Sequence, residues 1–115
     1  MPFVWYEKTR SLPYSNSDYI YTEIQLETET KKVIYFTVIQ LWKDEKGGIH
    51  EIKKHDCAHE KYHVHHYYEG SHSKTRVSNE PITMDLFWQA KRDILSHWRK
   101  YRMRFIRKFA PNQFL

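Results

Sequence analysis

Hydrophobic positions in this chain follow two periods, and the change from one to the other falls near residue 83. In DYIYTEIQLETET, Ile20, Ile24 and Leu26 alternate with Tyr19, Tyr21, Glu23, Gln25 and Glu27, the pattern of a strand with one buried face. VIYFTVIQLW, residues 33–42, is apolar on both faces and rich in β-branched and aromatic types, as a central strand should be. Pro13 with Ser15-Asn16-Ser17 marks one turn and Gly47-Gly48 another. Ile49 to Tyr68 then reads as the hairpin partner of the central strand, with a break around Asp56-Cys57-Ala58, and Glu69 to Pro81 is polar and loop-like.

From Thr83 the period becomes 3.6: Phe87, Ala90, Ile94, Trp98, Tyr101, Phe105 and Phe109 share one stripe, flanked by Leu86, Leu95 and Ile106. Thr83 suits an N-cap, Asp85 complements the N-terminal dipole, and Pro111 ends the helix. These elements predict an α+β fold, an antiparallel sheet of about four strands packed against a long C-terminal helix. The expected single domain spans 1–115: a β-meander over about 3–68, a loop over 69–82 and a helix over about 83–109.

Charge sharpens this picture. The 115 residues carry a net charge of +5, and the surplus sits on one segment. Residues 83–109 hold eight Lys and Arg against Asp85 and Asp93, while the remaining 88 hold 11 basic and 12 acidic groups. A single cysteine, Cys57, excludes an internal disulfide and agrees with a reducing cytoplasm. No apolar run approaches the ~20 residues of a membrane span and the N-terminus lacks a signal-peptide pattern, so the expectation is a soluble, cytoplasmic protein without membrane partners.

Five of the fourteen residues in HDCAHEKYHVHHYY, positions 55–68, are histidine. His59 to His63 spells H-E-x-x-H, which in zinc hydrolases works because a helix sets both histidines on one face. Here Tyr62, Val64, His66 and Tyr68 alternate with His63, His65 and Tyr67, the period of a strand, and Lys61 and His65 break the usual apolar flanks. No cofactor is expected on this reading. Zinc held by His59, His63 and His65, with His55, Asp56 or Cys57 as further ligands, is the alternative. Cys57 flanked by His55 and His59 is also a thiol nucleophile by composition, although a lone buried thiol is its commoner use.

Taken whole, the run resembles the Asp-x-Ala-His-Gly-x-x-His-x-His-x-Tyr pattern of small prokaryotic TumE-like toxin components of toxin–antitoxin systems. Asp56, Ala58, His59, His63, His65 and Tyr67 carry the likeness, and DILSHWRKYRMRF is similar to that family's Trp-x-x-Tyr helix. Glu60 departs from the family's glycine. Over residues 19–109 the resemblance implies a β-meander followed by a C-terminal helix, and a toxin-like protein that acts on RNA with an antitoxin as partner.

The residue chemistry fits RNA cleavage without metal, which needs a base for the 2′-OH, an acid for the leaving 5′-oxygen and cations for the phosphate. His63 and His65 are the expected acid–base pair, His59 the third member, Asp56 the group orienting an imidazole and Tyr67 a donor to phosphate. Arg92, Arg99, Lys100, Arg102, Arg104, Arg107 and Lys108 would track the RNA backbone. Three classes stay open: a toxin-like ribonuclease, a zinc-binding protein, and a non-catalytic basic module for nucleic acid or a partner. A homo-oligomer is compatible with each.

Overall fold

The computed structural model describes residues 2–57, 61–69 and 76–109. Six antiparallel strands lie in sequence order: β1 (Phe3–Ser11), β2 (Asp18–Glu27), β3 (Val33–Lys43), β4 (Ile49–Asp56), β5 (Tyr62–His65) and β6 (Arg76–Ser78). A 3-10 turn over Tyr67–Glu69 follows β5, and one helix, α1 (Met84–Phe109), lies across a single face of the sheet. The α+β class is as expected. The strand count is not: six replace about four, because the chain breaks after Asp56 and folds back as β5, and β6 rises from the stretch expected to be loop. A strand of three residues, β6, is too short to display a period of its own.

Turn chemistry explains the β3–β4 hairpin. Asp44 Oδ1 accepts the N–H groups of Lys46 and Gly48 at 2.9 Å, and Gly47 sits at φ 85°, the left-handed region glycine enters at no steric cost. A Cβ on Gly48 would meet Asp44 Oδ2 at 2.8 Å, so a side chain there would displace the carboxylate that holds the turn.

Alternation along the strands sends Ile20, Ile24, Phe36, Val38 and Trp42 toward α1, where they meet Leu86, Phe87, Ala90, Ile94, Trp98, Phe105 and Ile106. The helix starts as the sequence predicts, with Thr83 Oγ1 accepting the Leu86 N–H at 3.2 Å. Phe109 of the predicted stripe and Leu95 of its flank are exposed, Phe109 at the last residue of the helix. Among the described residues no helix is long and apolar enough to cross a membrane.

Polar anchors fix the helix on the sheet. Gln40 Nε2 donates to the Trp98 carbonyl at 2.8 Å within the core. Asp18, 0% exposed, takes the Ser15 hydroxyl at 2.6 Å and the Arg102 guanidinium at 2.8 Å on the same oxygen. Arg102, expected among the phosphate-tracking cations, is therefore held by a buried carboxylate. Removing one partner of a buried pair strands the other charge. Arg102→Ala should lower unfolding free energy by about 3 kcal/mol in urea, whereas Lys100→Ala, on the solvated side of the same turn, should stay within about 0.5 kcal/mol.

Candidate acid–base site

A single irregularity in β4 decides which side chains meet. Gln40 pairs with Lys53 and Leu41 with Glu51, leaving Ile52 as the extra residue of a bulge. Ile52 and Lys53 thus both face the helix, and every later residue of β4 is on the opposite side from where unbroken alternation would set it. His55 enters the layer under α1, while Lys54 and Asp56 reach the face that the helix leaves open.

Register carries this division into β5. Asp56 stands opposite His63 and Lys54 opposite His65 on the open face, whereas His55 stands opposite Val64 beneath the helix. His63, His65 and Tyr67 form a ladder of nearly parallel rings, with centroids 6.3 Å and then 5.5 Å apart and planes tilted by 12° and 8°. His66 and Tyr68 turn to the other side, where the Tyr68 hydroxyl and His66 Nδ1 lie 2.8 Å apart and Tyr68 stacks on Tyr101. The structure therefore brings Asp56, His63, His65 and Tyr67 together. His59, the expected third histidine, lies outside the described residues, as does Glu60.

Electrostatics separate the members of the ladder. Desolvation holds the His65 imidazole below its ordinary value, with Lys54 adding to the shift and Asp56 opposing it. The neutral ring is a proton acceptor near pH 7. Desolvation, then Glu51 and Asp56, push the Tyr67 hydroxyl up, so it stays a donor. Asp56 does not orient His63 through Nε2: that nitrogen is buried and has no hydrogen-bond partner among the described residues, while Asp56 Oδ1 accepts the Cys57 N–H at 3.0 Å. Asp56 lies instead beside Tyr35, whose hydroxyl burial pushes up to about 12, with Asp56 contributing.

The alternatives fare differently. His63 sits in a strand, not in the helix H-E-x-x-H requires. Among the described residues no three His, Cys, Asp or Glu side chains converge as metal ligands, and the set with His59 falls partly outside them. Cys57 is buried, and desolvation pushes its thiol up to about 12, so little thiolate is available for attack.

A second polar cluster, absent from the sequence reading, lies between the layers. Asp93 of α1 receives Lys53 Nζ at 2.6 Å and His55 Nε2 at 2.9 Å on one oxygen, and the Tyr101 hydroxyl at 2.5 Å on the other. The Tyr62 hydroxyl donates to His55 Nδ1 at 2.6 Å, consistent with a neutral ring whose Nε2–H points at the carboxylate. Lys53 and His55 are each 5% exposed. The carboxylate is held well below its usual range by His55, Lys53 and Tyr101, which outweigh a desolvation that acts the other way. One signal could have exposed it: Ala90, Asp93, His97 and Tyr101 recur at helical spacing, which sets an acid on the edge of the apolar stripe.

A family model described as a domain of unknown function, DUF7718, matches residues 7–110. The chain belongs to the DUF7718 family. No curated protein and no solved structure matches it. The DUF7718 match spans every strand except the first residues of β1, the whole helix and both polar clusters.

Burial gives the DUF7718 chain a defined acid response. Desolvation sets folded His55 below its ordinary 6.5, with Asp93 opposing and Lys53 adding to the shift, so below that pH the unfolded chain takes up a proton that the folded chain refuses. Its stability contribution is full above 6.5 and lost as pH falls; His65 acts in the same direction. Asp93, also depressed, adds a second loss only below its ordinary 3.8. Urea denaturation across pH should show stability declining from about pH 6.5 downward. His55→Gln should reduce that slope while leaving the steeper limb below about pH 4. A wild-type stability flat down to pH 4 would contradict this assignment.

Proposed function

We propose that the DUF7718 chain is an RNA-binding protein with a metal-independent ribonuclease site on the open face of its sheet. The observation that carries this reading is the parallel stack of His63, His65 and Tyr67 on the sheet face opposite to α1. Two imidazoles 6.3 Å apart can each reach one of the two oxygens flanking a single phosphorus. His65, neutral by desolvation, takes the 2′-OH proton as that oxygen attacks phosphorus. His63, through Nδ1 because its Nε2 is buried, gives a proton to the departing 5′-oxygen, and Tyr67 donates to a non-bridging oxygen. The products are a 2′,3′-cyclic phosphate and a 5′-hydroxyl.

Lys54, opposite His65, is the cation in register with the ladder, and further cations lie at the edge of this face. The helix lies on the other side of the sheet, yet Arg104, Arg107 and Lys108 line a depression of about 390 Å3 with Tyr68 and Glu69, which follow Tyr67 in the 3-10 turn. Lys108 Nζ also donates to the Glu69 carbonyl at 2.7 Å. An RNA strand anchored there would enter the ladder around the 3-10 turn, while Arg92, Arg99 and Lys100 extend the basic surface along the helix. A toxin role with an antitoxin partner, and a cytoplasmic setting, rest on the sequence resemblance and belong to the same proposal.

Cleavage of a mixed RNA pool tests it. His63→Ala and His65→Ala should each slow cleavage by roughly 10²–10⁴-fold, and His66→Ala should chiefly lower thermal stability. EDTA should leave wild-type activity intact; activity lost to EDTA and restored by zinc would instead favour the zinc-binding reading. Charge reversal at Arg104 and Arg107 should weaken binding and reduce the log–log salt slope by roughly one unit per lost contact. Binding without any cleavage by folded wild type would leave the non-catalytic basic module in place of the ribonuclease.

A further inference from the structure

A second cationic site lies on the helix side of the sheet, at the end of α1 opposite to Arg104. Alternation in β1 sends Lys8 and Arg10 to the helix side, away from the histidine face. There they border a groove of about 450 Å3 between β1 and α1, together with Ile20 and Thr22 of β2 and Trp88 and Lys91 of the helix. No carboxylate lines it. Among the described residues none of Lys8, Arg10 and Lys91 has an ion-pair partner.

Three like charges converging without a counterion oppose one another, and Lys91 registers the effect. Its ammonium is held below its ordinary value by desolvation and then by Arg10 and Lys8. The Lys91 ammonium sits 4.5 Å from the centre of the Trp88 ring, and that indole is 48% exposed at the rim. An anion in the groove would relieve the repulsion, and a planar group beside it would cover the indole.

We infer that this groove binds a phosphorylated nucleoside, its phosphate between Lys8, Arg10 and Lys91 and its base stacked on Trp88. The volume lies within the usual range for a site of that size. The ligand is either a free nucleotide or one unit of a strand, and neither requires cleavage at His63 and His65. If RNA is the ligand, the groove supplies a contact remote from the cations beside Tyr67.

Tryptophan fluorescence of the full chain reads the site directly, with Trp88→Phe identifying which of the four indoles responds. Titration with adenosine 5′-monophosphate and with an adenosine hexanucleotide should quench emission in wild type and not in Trp88→Phe. Lys8→Ala with Arg10→Ala should weaken nucleotide binding by about tenfold or more, from charge-assisted bonds lost. Both residues lie on an exposed edge strand; Lys91→Gln is the second variant and should weaken binding without the edge being touched. Equal affinity for nucleotide and hexanucleotide identifies a free nucleotide, and tighter, more salt-sensitive hexanucleotide binding identifies a strand. Inorganic phosphate competing as well as the nucleotide would overturn the stacking. Absence of quenching by either nucleotide probe, or quenching that the Lys8, Arg10 and Lys91 variants leave unchanged, would overturn the site. RNA cleavage or binding that persists in these variants leaves the histidine-face reading standing.

Discussion

One carboxylate holds the two layers of this protein in register. Asp93 has Lys53, His55 and Tyr101 around its two oxygens, and each of those groups is itself mostly buried. An ion pair taken out of water contributes little net stability, because desolvation offsets most of the attraction. Its larger effect is on alternatives. A helix shifted by one turn along the sheet would leave the Lys53 ammonium and the Asp93 carboxylate buried and separate, at a cost of several kcal/mol. Arg102 on Asp18 and Gln40 on the Trp98 carbonyl impose the same alignment from the middle and far part of the helix. The apolar stripe brings α1 to the sheet, and these polar contacts choose where it stops.

That alignment works only because β4 is bulged at Ile52. With regular alternation Lys53 and His55 would face solvent on the open side and Asp93 would lie against neither. The same displacement sends Asp56 and Lys54 outward, opposite His63 and His65. A histidine run that is continuous in sequence is thereby divided by the sheet. His55 and His66 belong to the packed layer, and His63 and His65 to the open face.

Much of this was legible in the chain. The stripe from Phe87 to Phe105, the Thr83 cap and the Gly47-Gly48 turn each follow from local chemistry that tertiary packing does not override. The alternation of His63 and His65 against His66 was also readable, because strand period needs no knowledge of the partner. What was hidden depends on pairing. A bulge leaves no mark in one strand considered alone, and β5 and β6 exist only through their neighbours. Arg102 looks like any other cation of the helix until Asp18, 84 positions away, supplies its partner. Lys8 and Arg10 join the basic helix for the same reason, through β1 crossing back beside β2.

The distribution of charge between the two faces also constrains how RNA could reach the histidines. Glu7, Glu23, Glu51 and Asp56 alternate onto the open face, where Lys54 is the cation in register with His65. A strand laid across the middle of that face would meet carboxylates at short range, and their repulsion is weakly screened where they are partly buried. Approach along the edge differs: Arg104, Arg107 and Lys108 lie on the helix side of the 3-10 turn, and Tyr67 on the sheet side of the same turn. Phosphates can remain with these cations while one reaches the ladder. For RNA bound as proposed, the carboxylates would act as a boundary that favours entry from this end, and Asp56, although it makes no bond to His63 Nε2, keeps the His65 imidazole from falling further in basicity.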